Sequence, residues 1–206
     1  MENFENCSDA VLLRRAFAGE EAAFLVLYEK LKGGIFRYAF YMTNSRTAAE
    51  EVTQEVFILL LKDGGNYREE RGDVGAFAFG IARNFVRRIE RRERAYEPLP
   101  ADDALGRLSS DLVSEAESLA SRMVRNEVVD RVQAAIATLP DHYRQVVVLC
   151  DLCELSYEEA ATRLRCAVGT IRSRLNRAHS LLAQKLKPFR SRQADIEAAG
   201  PEGCLI

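Results

Sequence analysis

The chain has 206 residues and a formal net charge of −2, from 29 Lys and Arg against 31 Asp and Glu. This length fits one large domain or two small ones. Hydrophobic residues make up 48% and charged residues 29%, an ordinary globular composition that excludes wholesale disorder. With only 12 Gly and 5 Pro, the chain has too few turn formers for a many-stranded β fold, which favours an all-α fold.

The first half of the chain has helical periodicity. A first pattern from Leu12 to Leu31 is broken at Gly33-Gly34, and a second run follows from Ile35 to Met42. A capping-box pattern, Thr47 to Glu50, predicts the start of a helix that ends near Gly64. The next helix is expected from about Asp73 to Tyr96, with an inner face formed by Phe77, Ile81, Phe85 and Ile89.

The composition changes after Tyr96. The stretch from Glu97 to Ser121 has six acids, one base, two prolines and several serines, which predicts a linker. Helices resume from Glu127 to Leu139 and from Asp141 to Cys153, and a second capping-box pattern at Ser156 opens a short helix to Leu164. A last helix is expected from about Val168 to Leu186, before a frayed tail.

The charges are segregated along the chain. The stretch from Arg83 to Arg94 contains six arginines and two glutamates. The stretch from Arg163 to Lys187 contains seven basic residues and no acid. One such basic stretch is as well explained by a solvated helix face, but two, each beside a motif, favour a phosphate backbone as the partner.

The segment from Leu155 to Ala178 has the layout of a helix-turn-helix. The short helix is followed by a tight turn and a second helix, in which Ile171, Leu175 and Ala178 fall on the inner face. An ordinary helical hairpin is the other interpretation. The outward positions carry residue types that contact bases and phosphates in the major groove, namely Thr170, Arg172, Ser173, Asn176 and Arg177.

Other chemistry has weak support. Five cysteines in a chain without a secretory signal predict free thiols in the cytoplasm. Cys150 and Cys153 form a CxxC pattern with Cys166 nearby, but no second CxxC and no zinc-type spacing accompany it, so neither a metal site nor a cofactor is expected. No nucleotide loop, nucleophile motif or carboxylate pair points to an enzyme.

Two parts of the chain resemble the sigma-70 family of bacterial sigma factors, and best its extracytoplasmic-function (ECF) group. In the C-terminal half the resemblance is carried by Leu139-Pro140, Tyr143 to Leu149, Leu155 to Ala161 and Gly169 to Ala178. In the N-terminal half it is carried by Ala23 to Tyr28, Ala48 to Phe57 and Ile81 to Asn84, followed by the arginine-rich stretch. The two parts stand in the family's order.

The resemblance implies two small helical domains joined by an acidic linker. Residues 1–96 would bind core polymerase and recognise and melt the −10 element, and residues 97–123 would be the linker. Residues 124–188 would recognise the −35 element with the helix-turn-helix, and residues 189–206 would be a flexible tail. The implied partners are core RNA polymerase, through its clamp helices and flap, promoter DNA and an anti-sigma factor, with no membrane insertion.

The resemblance also implies site residues. Core polymerase would be contacted by Glu50, Glu51, Gln54, Glu55 and Phe57. The −10 strand would be held by Asn66, Tyr67, Arg68, Phe77, Arg83, Asn84, Arg87 and Arg88. The −35 duplex would be read by Arg172 and Asn176, with Thr170, Ser173, Arg174 and Arg177 mainly on phosphates.

The chain departs from the family pattern at three places. Phe77 stands at or beside a position where the family often has Trp, and core packing is an equally good explanation for it. Glu154 and Arg165 stand where the family usually has Gly, and a positive φ at Arg165 would cost about 1 kcal/mol. The rival function is a helix-turn-helix repressor or activator, which would bind duplex operator DNA without polymerase.

Overall fold

In a computed structural model the described residues are 7–95 and 119–198, and all regular structure within those ranges is helical, as predicted. Most of the expected acidic linker lies outside these ranges. The first half contains α1 (Asp9–Phe17), α2 (Glu21–Thr43), α3 (Arg46–Asp63) and α4 (Val74–Ala95). The second half contains α5 (Leu119–Ala137), α6 (Asp141–Val147), α7 (Tyr157–Leu164) and α8 (Val168–Ala198).

Helices α1, α3 and α4 pack around α2, which contacts all three. The core between them contains the fully buried side chains of Leu12, Leu27, Ile35, Tyr38 and Phe40. On α4 the fully buried face is formed by Val74, Ala78, Ala82 and Val86. The predicted inner face of α4 was therefore about one position out of register, and Phe77, Ile81, Phe85 and Ile89 are only partly buried.

Two predicted helix boundaries in this half are wrong. Gly33-Gly34 does not end a helix, because α2 runs through both glycines, and a Cβ on Gly34 would only reach ordinary van der Waals contact with the Phe79 ring, at 3.5 Å. The helix α3 is capped by Ser45 rather than by Thr47, since Ser45 Oγ accepts a hydrogen bond from the Ala48 amide at 3.3 Å.

The second half builds the helix-turn-helix from α7 and α8. The predicted capping box at the start of α7 is present, with Ser156 and Glu159 bonded to each other's backbone amides. The inner face of α8 is formed as expected, because Ile171, Leu175 and Ala178 are buried. The predicted end of α8 near Leu186 is too early, since the helix continues through Pro188 to Ala198.

The two helical groups also contact each other. Helix α7 packs on α4, and α5, α6 and the π-helical turn that follows α6 (Val148–Leu152) pack on α2. Arg144 Nη1 donates to the Met42 carbonyl at 3.1 Å, and Gln133 Nε2 donates to Asn44 Oδ1 at 3.0 Å. The helix-turn-helix is therefore held beside α4 rather than away from it.

Candidate nucleic-acid and polymerase surfaces

The outer face of α8 presents the residues predicted to read duplex DNA. Arg172, Ser173, Asn176 and Arg177 are exposed, while Thr170 and Arg174 are partly buried at the edges of this face. The Arg172 guanidinium carbon lies 6.0 Å from the ring centroid of Tyr157 at the start of α7. None of these six residues belongs to the buried face of α8, which is formed by Ile171, Leu175 and Ala178.

The turns that position α7 and α8 carry backbone strain. Arg165 ends α7 with φ 52°, so the steric cost considered for this position applies, and Glu154 before α7 has φ 56°. A residue with a side chain pays about 1–2 kcal/mol for a left-handed conformation. Both turns therefore have the left-handed backbone geometry that glycine adopts without strain.

A cleft of about 520 Å³, here called the interdomain cleft, separates α4 from the end of α7. It contains five arginines and one acid, Asp73, so its surface is strongly cationic. One wall contains Tyr67, Arg68, Phe77, Arg83, Asn84 and Arg87, and the other contains Thr162, Arg163, Leu164 and Arg165. Six of the eight residues predicted to hold the −10 strand thus lie together.

The aromatic part of the cleft is formed by Tyr67 and Phe77, whose ring centroids are 5.8 Å apart. Tyr67 Oη donates to the Gly72 carbonyl at 3.1 Å, which fixes the loop before α4. Arg68 is exposed and donates to the Gly65 carbonyl at 2.9 Å. Phe77 therefore lines the cleft and is partly buried against the core, rather than fully buried in it.

The basic part of the cleft is on α4. Burial lowers the pKa of the Arg83 guanidinium, and the positive charges of Arg87 and Arg165 lower it further. Asn84 and Arg87 are exposed, as is Arg88. Arg88 is not part of the cleft wall, and its guanidinium carbon instead lies 4.5 Å from the ring centroid of Phe85.

One predicted −10 residue is not located in detail. Asn66 belongs to the short 3₁₀ turn Gly64–Asn66, and its side chain lies outside the described part of the structure.

The exposed face of α3 presents the acids predicted to contact polymerase. Glu50, Glu51 and Gln54 are exposed and Glu55 is partly buried, with Glu50 Oε1 accepting from Arg46 Nε at 3.0 Å. Phe57 is only 4% exposed and its ring centroid lies 4.6 Å from that of Tyr28. Phe57 is thus a core residue of the free chain, although the family resemblance implied a contact with polymerase.

Two apolar residues that the sequence reasoning missed lie on this face of α3. Ile58 is 43% exposed and Leu61 is 39% exposed. Together with Glu51 and Gln54 they follow a three- and four-residue spacing, which places all four on one stripe of the helix. Their spacing from Glu51 was a signal that could have identified them.

The CxxC cysteines lie in and just after the π-helical turn. Burial raises the pKa of Cys150 and of Cys153 to about 11, so both thiols stay protonated near neutral pH. Within residues 7–95 and 119–198, no three acidic, histidine or cysteine side chains are grouped so that they could hold a metal ion. None of the helices in those ranges is long and apolar enough to cross a membrane.

The fold and these surfaces define an all-helical, two-domain DNA-binding protein with one helix-turn-helix. Comparison with known families matches residues 27–96 to the model "Sigma-70 region 2" and residues 130–182 to "Sigma-70, region 4". The RNA polymerase sigma-H factor of Pseudomonas aeruginosa is 30% identical over 187 residues, which cover 88% of this chain and 95% of the relative. The ECF RNA polymerase sigma-E factor of Haemophilus influenzae is 28% identical over 90% of this chain and 98% of the relative.

Two solved structures share the fold. The structure of CnrH with the cytosolic domain of CnrY has a TM-score of 0.64 and 21% identity, and covers 87% of this chain and 97% of CnrH. The structure of RpoE with the anti-sigma factor NepR from Bartonella quintana has a TM-score of 0.55 and 22% identity, over 81% of this chain and 96% of RpoE.

The chain belongs to the sigma-70 family, and within it to the ECF group of RNA polymerase sigma factors. The rival interpretation as a stand-alone repressor or activator is not favoured.

Proposed function

We propose that this sigma factor divides promoter recognition between the two surfaces described above. The wall of the interdomain cleft that contains Tyr67, Phe77 and Arg83 would take an unstacked strand of the −10 element, and the outer face of α8 would read the −35 duplex. The observation that carries this division is the different chemistry of the two surfaces. The cleft combines aromatic rings with arginines, which suits single-stranded bases and phosphates, whereas α8 has the polar face of a major-groove helix.

The domain boundaries belong to the same proposal. Residues 1–96 form the strand-binding and polymerase-binding domain, residues 124–188 form the duplex-binding domain, and residues 97–123 connect them. Core polymerase binds the exposed face of α3 through Glu51 and Gln54, with Ile58 and Leu61 as the apolar part of the contact. The chain performs no bond chemistry itself, and it acts in the cytoplasm with the polymerase.

Transcription with purified core polymerase on a randomised promoter library tests this proposal. We expect specific initiation at sites that share two separated elements. A protein that binds duplex DNA alone but neither binds core polymerase nor directs initiation would contradict it.

The role of α8 has a sharper test. Because Arg172 is exposed at the centre of the duplex-reading face, Arg172→Ala is expected to weaken −35-dependent initiation by about tenfold, the value of one good base contact. Run-off transcription measures this loss, and affinity for core polymerase should be unchanged. Lys185→Gln, an exposed change farther along the same helix, serves as the control. Reduced core binding in Arg172→Ala would show that Arg172 has another role.

We also propose that an anti-sigma factor regulates this chain. The support is the fold shared with RpoE, which was solved with the anti-sigma factor NepR. Purification of the tagged chain from its native cells, followed by mass spectrometry, should identify one protein that blocks initiation when it is added back. If the copurified proteins include core polymerase but no inhibitor of initiation, this part of the proposal fails.

A further inference from the structure

The interdomain cleft holds more positive charge than its described lining neutralises. Arg83 and Arg87 line it from α4, and Arg165 lines it from the end of α7. No ion pair formed among the described residues includes any of these three arginines. Asp73 is the one acid on the described lining, and its carboxylate accepts a hydrogen bond from the Ala76 amide at the start of α4. The three guanidinium groups are therefore without a carboxylate partner in the described part of the chain.

A fourth arginine of the cleft is buried. The Arg163 side chain is only 9% exposed, and its Nε and Nη1 atoms have no hydrogen-bond partner among the described residues. Glu159 Oε1 lies 4.0 Å from Arg163 Nη1, which is beyond hydrogen-bond distance. Arg83 Nε is likewise buried without a partner in the described ranges. Because burying a cation without hydrogen bonds is unfavourable, an anion beside these two side chains would stabilise this arrangement.

The positive charges converge from both sides of the cleft. Burial lowers the pKa of Arg83, and the charges of Arg87 on its own helix and of Arg165 on the opposite wall lower it further. An anion placed between two cationic walls is attracted more strongly than it would be by either wall alone. The cleft is therefore suited to a ligand that carries more than one negative charge and contacts both walls.

The size and the remaining lining of the cleft define the class of ligand. Its volume of about 520 Å³ lies within the range of about 300–1,000 Å³ that is usual for small-molecule sites. Guanidinium groups bind phosphate oxygens in a bidentate manner, so linked phosphates match the charged part of the cleft. Tyr67 and Phe77 add aromatic surface beside the arginines, with ring centroids 5.8 Å apart. This surface suits an apolar or planar group attached to the phosphates.

We propose that the interdomain cleft of the free chain is a binding site for a small polyphosphate, a molecule with two or more linked phosphate groups. On the α4 wall its phosphates contact Arg83 and Arg87. On the α7 wall they contact Arg165, and the buried charge of Arg163 adds to the attraction. The site goes beyond the promoter contacts proposed above, because no DNA contact is assigned to the α7 wall.

Isothermal titration calorimetry of the full-length protein, without polymerase, tests the site. The probes are pyrophosphate and ADP, in a low-salt buffer free of phosphate and magnesium. We expect saturable binding of one molecule per chain, which weakens as sodium chloride screens the charges. Tighter binding of ADP would identify a nucleotide as the source of the phosphates, and equal or weaker binding of ADP would identify an inorganic polyphosphate. Absence of saturable binding of both probes up to about 1 mM would overturn the proposal.

Arginine variants locate the bound phosphates on both walls. Arg165→Gln and Arg87→Gln each remove one cation, from the α7 wall and the α4 wall, and each should weaken binding about tenfold, the value of one charge-assisted hydrogen bond. Arg165→Lys should restore part of the affinity, because it restores the charge without the bidentate geometry. Arg92→Gln, exposed on α4 but outside the cleft, is the matched control and should bind like the wild type. Circular dichroism melting checks that each variant is folded.

Two further outcomes would overturn the two-walled site. If affinity falls in Arg87→Gln but not in Arg165→Gln, the phosphates bind the α4 wall alone, as those of a promoter strand would. If affinity falls equally in Arg92→Gln, the binding is unspecific attraction to a basic helix. Failure of the proposed function would appear instead as absent initiation with core polymerase, which these titrations of the free chain do not involve.

Discussion

At the scale of single residues, the capping box of α7 couples stability to pH. Ser156 Oγ accepts from the Glu159 amide at 3.2 Å, and Glu159 Oε2 accepts from the Ser156 amide at 2.8 Å. Truncation of the Ser156 side chain removes the bond that Ser156 Oγ accepts from the Glu159 amide. We therefore expect Ser156→Ala to lower the free energy of unfolding by about 1 kcal/mol at pH 7. Chemical denaturation monitored by circular dichroism measures the difference.

The hydrogen bonds from the Ser156 side chain and then from its amide hold the pKa of Glu159 below its ordinary value. A carboxylate whose pKa is lowered by folding stabilises the fold above its unfolded pKa, and that contribution is lost as the pH falls through the folded pKa. The gap between wild type and Ser156→Ala should therefore shrink below about pH 4. Ser180→Ala, which removes a hydroxyl that donates to the Asn176 carbonyl in mid-helix, is the control. A gap that stays constant down to pH 3 would contradict the role given to Glu159.

At the scale of elements, α3 contains a core residue, Phe57, close to two exposed apolar residues, Ile58 and Leu61. Ile58→Ser with Leu61→Ser should weaken binding to core polymerase about fivefold or more, since both side chains are exposed on the proposed contact face, with little effect on stability. Phe57→Ala should instead lower the free energy of unfolding by about 3–5 kcal/mol. Surface plasmon resonance and thermal melting distinguish the two effects.

Val128→Ser on α5 is the matched control for the α3 prediction, because Val128 has the same 43% exposure as Ile58 but lies on the other domain. Core affinity that falls equally in this control would show that loss of any exposed apolar residue has the same effect. Core affinity unchanged in the α3 double variant would remove the apolar part of the polymerase contact.

Sequence patterns predicted the elements better than their faces and ends. The helix type, the capping box at Ser156 and the buried face of α8 follow from local chemistry, and the structure has them. The helical spacing of Val52, Val56, Phe57 and Leu60 puts Phe57 on the apolar side of α3, and all four side chains are buried, with the Phe57 ring packed on Tyr28. Gly34 and Pro188 are helix breakers by propensity alone, yet both lie inside helices of this fold.

At the scale of the whole molecule, the segregated charge predicted two cationic surfaces but not their distance from each other. Each surface has a local signal in the sequence, namely the arginine-rich stretch of α4 and the basic helix α8. The Arg163 guanidinium carbon lies 5.0 Å from the ring centroid of Phe79, although the two residues are far apart along the chain and neither has a local pattern that requires the other. Six of the eight predicted −10 residues were therefore found in the cleft, while its second wall was not foreseen.

The like charges that meet in the interdomain cleft make the shape of the free protein depend on ionic strength. The Debye length falls from about 30 Å at 0.01 M salt to about 8 Å at 0.15 M, so added salt weakens the repulsion between Arg83 and Arg165. The free sigma factor should then become more compact as salt rises, whereas most contacts between protein and DNA loosen. A radius of gyration that decreases with sodium chloride, and decreases less in Arg165→Gln than in the Lys185→Gln control, would confirm this; an increase would contradict it. In dilute salt the same cations that are proposed to attract the promoter would thus also push α4 and the end of α7 apart.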